Sequence, residues 1–509
     1  MAGGFAGLLA GAAAVTVSEL AAALPAGVTS PVLSVANRAV DAAPRPVKEW
    51  AIASFGSADK LVLVGGVVGS VAVLAIIIGA VGVRRPRLAA AAFVALTVVS
   101  AAAAATDRSA SASLLARLLA PAVLLVVGLA ALTGMLRAAR GRAPATVEGD
   151  ELPGAFDRRA FLKAALAVSA VAVGGGIAAR ALGGSAAAQA RAALSVPRPA
   201  TPAPAVPAAA RLGVPGITPH VTANRHFYRV DTALRVPDVP VDGWRLRIHG
   251  MVDRELDLSF ADLLSRRLVE ERITLTCVSN EVGGEYVGNA AWIGVPLRDL
   301  LREAGIREGA DAVKSTSADD FTVGTPLSVL LDEQRTALVA VAMNGEPLPL
   351  EHGFPARMVT PGLYGYVSAT KWLVDLEVTR FADFTAYWTR RGYAARAPIK
   401  TSSRIDVPRS FARLPSGRTP IAGVAWSQGR GIERVEVRVD EGEWREAELA
   451  EQDNVNTWRQ WVYRWDAAPG DHRIEVRATD QAGATQTADR APIAPDGSTG
   501  WHSVNVSVE

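Results

Sequence analysis

One thiol and six imidazoles are the side chains of this sequence whose types lend themselves to metal or redox chemistry. Cys277 is the single cysteine, which excludes an intramolecular disulfide and any cysteine-only zinc or iron–sulfur site within one chain. Taken bare, a free cysteine is most often a small buried hydrophobe, and a functional thiolate is the alternative. The histidines, His220, His226, His249, His352, His472 and His502, all lie beyond residue 219, and the sequence has no Cys-x-x-Cys-His attachment site. No histidine pair can therefore hold a haem between the apolar segments that precede them, so a cytochrome-like membrane part is not expected. No flavin site is apparent either.

The elements around Cys277 give it a defined place. Arg272–Cys277 is β-branched and apolar enough for a buried strand that delivers Cys277 to its end, just before the polar Ser279-Asn280-Glu281 and the Gly283-Gly284 turn. Trp244–His249 alternates as a strand, Asp253–Leu256 reads as a turn, Ser259–Arg267 as a short capped helix and Pro296–Ala304 as another. Mixed rather than strictly alternating signals favour an α+β domain, over residues 220–400. From about Ile405 the pattern becomes all-β, with Ile432–Asp440, Trp458–Trp465 and His472–Ala478 as alternating strands. A sandwich over residues 401–509 fits.

The N-terminal part is of another kind. A mean hydropathy of +0.21 with 20% charged residues is too apolar for one ordinary soluble globule. Residues 1–182 contain about five runs of membrane-crossing length, Phe5–Leu24, Leu61–Val83, Leu88–Ala105, Leu114–Leu136 and Ala160–Leu182. They carry 16 Lys+Arg against 9 Asp+Glu, and the rest of the chain 37 against 41, so the basic excess lies between apolar runs and no nucleic-acid surface is indicated. Arg84, Arg85 and Arg87, and then Arg137, Arg140, Arg142, Arg158 and Arg159, place the second–third and fourth–fifth loops inside. Everything after the fifth run then falls on the extracytoplasmic side. Glu19, near the end of the first run, reads as interfacial or as a functional intramembrane carboxylate. Residues 183–219 are Ala/Pro-rich and read as a semi-stiff spacer.

Asp157-Arg158-Arg159-Ala160-Phe161-Leu162-Lys163, entering the fifth run, resembles the twin-arginine export signal, whose pathway moves proteins already folded around a cofactor. Thr274–Gly284 and the following Gly288-Asn289-Ala290-Ala291-Trp292-Ile293-Gly294-Val295 resemble the molybdenum-binding segment of the sulfite oxidase family. Met343-Asn344-Gly345-Glu346-Pro347-Leu348-Pro349, His352-Gly353-Phe354-Pro355-Ala356-Arg357, Pro361-Gly362 and Lys371-Trp372-Leu373 continue it in order, and Ala425-Trp426-Ser427 and Trp501–Val504 resemble the family's immunoglobulin-like dimerisation domain. The likeness covers about residues 218–509. It implies a single molybdopterin holding molybdenum, with Cys277 as the one protein ligand, a role that suits a soft thiolate. It further implies His352 and Arg357 gripping the cofactor, Arg357 as a fork on the phosphate and Lys371 as a point charge. Asn224-Arg225-His226-Phe227-Tyr228 resembles the family's early Arg-Asn-His cofactor segment, Asp319 or Asp320 an acidic pterin contact, and Ser368 a further contact. A possible homodimer through the last domain follows from the same likeness.

The sequence departs from sulfite oxidases where an anionic substrate would be held. Val282 stands for the arginine that follows the cysteine ligand, Val341 for a tyrosine, and the Arg-Asn order is reversed at Asn224-Arg225, leaving Arg225 or Arg229 to compensate. The expectation is a multi-domain, membrane-anchored extracytoplasmic oxidoreductase that moves an oxygen atom to or from a small substrate, with a separate electron carrier. Sulfite oxidation is the leading family activity. The alternatives are a sulfoxide-type reductase and a non-enzymatic membrane-anchored binding protein.

Overall fold

The computed structural model describes every residue except 1, 25–27, 45–46, 48–49, 51–53, 56–58, 108–112, 141–157 and 183–184. It divides into two units: residues 1–185 with Ala233–Asp238, and residues 186–232 with 239–509.

The first unit is helical. Its long helices are α1 (Ala2–Ala23), α2 (Pro31–Ala42), α3 (Asp59–Arg84), α4 (Pro86–Ala105), α5 (Leu114–Arg140) and α6 (Arg158–Leu182). Four of them, α1, α3, α4 and α5, are long and apolar enough to cross a membrane. The fifth expected span is also helical, and its apolar stretch among the described residues is Leu162–Gly174. Asp157 of the twin-arginine-like entry and most of the loop before it lie outside the described residues. Helix α1 packs against α3, α5 and α6. Gly3 and Gly7 of α1 meet Gly79 of α3 so closely that a Cβ on Gly7 or Gly79 would strike the opposing backbone, the small-residue packing that lets helices associate in lipid. Asn37 Nδ2 donates to both carboxylate oxygens of Asp107 at 3.1 Å, and Lys60 Nζ donates to the Ala233 carbonyl at 2.8 Å.

The second unit opens with helix α7 (Ala186–Ala193), whose Arg191 donates to the carbonyls of Pro347 and Leu348. The segment expected to run free as a spacer is thus laid along this unit. Ala200 N donates to Leu268 O, Glu270 N to Thr201 O, and Leu212 N to Gln460 Oε1. A Pro-rich chain cannot form its own core, but its backbone can satisfy the edge of a neighbouring strand.

Its central part contains strands β1 (Arg245–Gly250), β2 (Leu256–Ser259), β3 (Val269–Thr276), β4 (Val287–Pro296), β5 (Ala312–Ser317), β6 (Thr322–Pro326), β7 (Leu338–Met343), β8 (Glu346–Pro347), β9 (Arg357–Val359) and β10 (Leu373–Thr379). One mixed sheet has the order β2-β1-β10-β5-β6, with β1 and β10 parallel. The second has the order β3-β4-β7-β8, with β9 beside β7. Short helices follow strands: Phe260–Leu264 carries a capping box between Ser259 and Asp262, and Leu297–Ala304 buries Leu297, Leu300, Leu301 and Ala304 on one face. This is an α+β arrangement. One core joins the two sheets through Leu246, Ile248, Val295, Val339 and Leu376; a second, with Phe227, Trp292 and Phe354, covers the other face of the β3–β4–β7 sheet. Being buried on both faces, β7 carries no polar side chain at all.

The C-terminal part is β-rich. Strands β11 (Ser402–Val407), β12 (Ala412–Leu414), β13 (Gly417–Trp426), β14 (Ile432–Val439), β15 (Arg445–Glu446), β16 (Glu448–Leu449), β17 (Arg459–Ala467), β18 (Gly470–Asp480) and β19 (His502–Val508) make two sheets, β11-β13-β17-β16 and β12-β19-β18-β14-β15. Their shared core includes Ile421, Val435, Trp461, Ile474 and Val504.

Candidate active site

Cys277 sits where the β3–β4 ladder ends. Its N–H donates to Tyr286 O at 2.9 Å, its carbonyl accepts from Asn280 N at 3.0 Å, and its Sγ accepts from Ser279 N at 3.4 Å. The side chain is buried. Burial pushes the thiol up, against the opposing pull of the Ser279 N–H and the Lys371 charge. The loop beyond it is held from the C-terminal part. Arg404 donates to Gly284 O at 2.8 Å, Ser498 Oγ to Asn280 O at 2.8 Å, and Gly283, at φ +81, lies against the His502 ring, where a Cβ would collide. Cys277 is therefore placed by two domains at once.

A buried basic cluster lies near enough for the Lys371 charge to act on the thiol. His352 ends a 3₁₀ turn, a Cβ on Gly353, at φ +108, would press to 3.0 Å from Lys371 and 3.1 Å from Arg357, and Arg357 opens β9. The guanidinium of Arg357, 5.1 Å from the Trp292 ring centroid, donates to the carbonyls of His352, Met358 and Ala369. Among the described residues it forms no ion pair. Burial pulls it down to about 10, still a cation at neutral pH. Lys371 donates to Asp231 Oδ2 at 2.7 Å and Glu351 O at 2.9 Å; burial lowers it to about 8 although Asp231 pulls the other way. His352 is lowered to about 3 by burial, then by Lys371 and Arg357, so it is neutral, and its Nε2 lies 3.2 Å from Asn224 O.

The other residues singled out in the sequence fall in different places. Asn224 accepts from Asn344 Nδ2 at 2.8 Å and donates to Met343 O, so the Asn224 turn is tied to the β7–β8 turn. Arg225 and His226 are exposed and bond to each other at 3.2 Å; they are not brought into the cluster. Arg229 is, through Asp231 at 2.9 Å. Asp320 is exposed in a turn at φ +60, whereas Asp319 is drawn inward, its carboxyl raised by burial and also by the charge of Asp231. Ser368 is buried, its Oγ 3.0 Å from the carbonyls of Leu363 and Tyr364. Val341 packs in the core between the two sheets.

Sequence reading assigned no role to Tyr228, Asp231 or Trp292. Tyr228 is the most informative, since both Cys277 and Arg357 act on it electrostatically while burial holds its phenol protonated. The available signal was the aromatic pair Phe227-Tyr228 beside the Asn224 turn.

The arrangement suits an anionic cofactor that brings a metal. Among the described residues no three His, Cys, Asp or Glu side chains converge, so a metal at Cys277 must carry its remaining ligands with it. A buried guanidinium whose partners are all carbonyls is costly until an anion meets it. A phosphate-bearing dithiolene cofactor would answer both conditions.

Comparison with known proteins agrees. Residues 233–388 match the family model "Oxidoreductase molybdopterin binding domain", and residues 397–509 match "Mo-co oxidoreductase dimerisation domain". The chain is 31% identical over 340 residues to the mitochondrial sulfite oxidase of Rattus norvegicus, covering 57% of this chain and 62% of the relative. It is 30% identical over 324 residues to the sulfite oxidase of Gallus gallus, covering 54% and 69%. The sulfane dehydrogenase SoxCD structure from Paracoccus pantotrophus shares the fold, with a TM-score of 0.50 at 23% identity over 57% of this chain and 83% of that one. These matches place the chain in the class of molybdopterin-binding oxidoreductases. Within that class, it belongs to the sulfite oxidase family, whose cofactor is molybdenum bound to molybdopterin, and it spans about 62% of the rat enzyme's length.

Proposed function

We propose that this protein is a membrane-anchored oxidoreductase whose catalytic domain works on the extracytoplasmic side, transferring an oxygen atom to or from a small substrate less anionic than sulfite. One observation carries the reading: a buried thiol, Cys277, and a buried cation, Arg357, which among the described residues pairs with carbonyls alone, both lie close enough to Tyr228 to act on its phenol. The bound cofactor supplies two-electron oxygen-transfer chemistry at its metal. Cys277 is its protein ligand; Asn224, His352, Arg357, Ser368 and Lys371 hold it, with Asp320 and the Arg225-His226 turn at the periphery. Neutral His352 offers a fixed hydrogen bond, Arg357 and Lys371 neutralise the anionic end, and protonated Tyr228 offers a donor near the thiol. Arg229, paired with Asp231, is the guanidinium of the 224–231 segment that faces this cluster.

Placement outside the cytoplasm rests on the arginines of the second–third and fourth–fifth loops and on the Arg158-Arg159 entry to α6. The C-terminal sandwich is read as immunoglobulin-like and as the seat of a homodimer, in keeping with the dimerisation family model. Electrons pass to or from a separate carrier. The test is metal analysis of the purified protein: about one molybdenum per chain is expected, and Cys277→Ser should lose activity while keeping the pterin through Arg357 and Lys371. A fully active Cys277→Ser protein would sink the assignment.

A further inference from the structure

Strand β3, which delivers Cys277, is the end strand of its sheet, with β4 as its neighbour. In an antiparallel ladder every second residue turns its N–H and C=O away from the partner strand, and an edge left open in this way must find other donors and acceptors. On β3 the C-terminal part supplies them. Asn454 Nδ2 donates to Arg272 O at 3.2 Å, and Thr274 N donates to Asn456 O at 2.9 Å. Asp453 accepts from the Arg272 guanidinium on both of its oxygens, at 2.5 and 2.6 Å.

Gln428 reaches furthest along this edge. It lies in the turn between β13 and β14, 3% exposed, and Gly429 N donates to Val455 O at 3.0 Å, which ties that turn to the loop covering β3. Its Nε2 donates to Thr274 O at 3.0 Å and to Thr276 Oγ1 at 3.3 Å. Thr276 immediately precedes Cys277, and its pairing with Val287 is the last of the β3–β4 ladder. One side-chain amide thus grips the strand at the point where the ladder stops restraining it. The other atom of that amide, Oε1, is buried and has no donor among the described residues. A buried acceptor left unmet lowers stability. A methionine would fill similar space without that penalty, so what the glutamine adds is a fixed direction for the end of the strand rather than net stability.

We infer that Gln428 is a positioning residue for Cys277: through Thr274 and Thr276 it fixes the end of β3 from which the thiol projects. Its bearing on catalysis rests on the reading of Cys277 as the metal ligand, whereas the grip itself needs no metal. Asp453 holds the same strand further back, at Arg272, where the ladder to β4 continues on both sides. A slip there is absorbed before it reaches the thiol, so Asp453 supports the strand without setting the place of Cys277.

Cys277 is the single cysteine, so alkylation by N-ethylmaleimide reports on it alone. The experiment compares full-length wild type, Gln428→Met, Thr276→Val and Asp453→Asn. Alkylation rate and denaturation midpoint are measured on cofactor-free samples, and the visible thiolate–molybdenum absorption on loaded ones. Gln428→Met should be alkylated about fivefold faster or more with a midpoint near that of wild type, a local loosening rather than a global one. Thr276→Val removes one acceptor and leaves the arm in place, so it should give part of this effect, and the double variant less than the sum. Asp453→Asn should lose more stability and gain less in rate. In loaded protein the absorption should shift in Gln428→Met and hold its place in Asp453→Asn. Wild-type alkylation rates in both Gln428→Met and Thr276→Val, rates that merely follow the loss of stability across the variants, or an absorption that moves only in Asp453→Asn would overturn the inference. Purified protein that never holds molybdenum would remove the proposed function instead and leave the alkylation rates to decide this one.

Discussion

Lys371 Nζ and Asp231 Oδ2 are 2.7 Å apart, with side chains 11% and 6% exposed, and Arg229 meets the same carboxylate at 2.9 Å. Asp231 therefore holds two cations, in the cluster proposed to meet the cofactor's anionic end. In Asp231→Asn both lose their counter-charge in a site that already depresses Lys371. Breaking such a buried pair costs about 3–5 kcal/mol when nothing replaces the lost charge. The loss should be large in cofactor-free protein and smaller in loaded protein, where phosphate takes over the carboxylate's role. Thermal denaturation of both forms measures the difference.

Lys371 also gives the cofactor-free protein a pH signature. Its folded value of about 8 lies below the ordinary 10.5, so between those limits the unfolded chain binds more protons than the folded one. Stability then rises with pH, from about 8 upward, until the tyrosines begin to ionise near 10. Denaturant titrations at pH 7.5, 8.5 and 9.5 should show this rise in wild type and its absence in Lys371→Met.

Arg357 supports the opposite expectation for a substitution in the same cluster. Its partners among the described residues are backbone carbonyls, so in cofactor-free protein the guanidinium is a buried charge that no described carboxylate pairs. Replacing such a charge with an apolar side chain of similar volume is often neutral or stabilising by about 1–4 kcal/mol. Cofactor-free Arg357→Met should therefore melt at or above the wild-type temperature while retaining at least tenfold less pterin after purification. A destabilised, pterin-replete variant would remove Arg357 from the cofactor's grip.

What the sequence made legible follows from which forces act locally. The apolar runs, the strand ending at Cys277 and the alternation of the C-terminal strands are short-range patterns, and helices or strands stand at each of them. Residues 186–219 misled because Ala/Pro composition reports an inability to form a core, not the availability of a strand edge such as Leu268–Glu270. Arg225 and Arg229 could not be told apart by spacing: a single 3₁₀ turn at Asn224–His226 sends the first outward, and the extended chain after it brings the second to Asp231. Tyr228 and Asp231 went unassigned because their partners, Cys277 and Lys371, are distant in sequence.

Substitution at Arg225 accordingly tests the substrate reading. Because its side chain is exposed and bonded to His226, Arg225→Ala should leave the Michaelis constant for any accepted substrate within about twofold of wild type, as surface changes do. A micromolar constant for sulfite that rises strongly in Arg225→Ala would restore sulfite as the substrate.

The Arg158-Arg159 pair separates an address from a topology signal. Lysine at both positions keeps two positive charges, so the positive-inside bias barely changes while a receptor-read motif is lost. The expected result is a catalytic domain held on the cytoplasmic side or degraded. Unchanged protease accessibility from outside would reduce the pair to a topology signal.

The Gly283–His502 contact tests whether the C-terminal part sets the geometry at Cys277, the proposed metal ligand. Alanine at 283 meets two separate obstacles, a backbone at φ +81 that L-residues rarely adopt and the imidazole that occupies the space a Cβ needs. The first costs about 1–2 kcal/mol. The second is removed only by moving His502, whose Nδ1 accepts from Ile405 N at 2.9 Å and so anchors β11. Gly283→Ala should lower stability by more than the backbone share, and in Gly283→Ala/His502→Ala the steric share should return as a coupling between the two sites. Molybdenum content should follow the same order, lowest in the single glycine variant, because Cys277 lies six residues up the same loop. Strict additivity of the two substitutions, in stability and in metal, would mean that the loop holds its shape without the C-terminal domain.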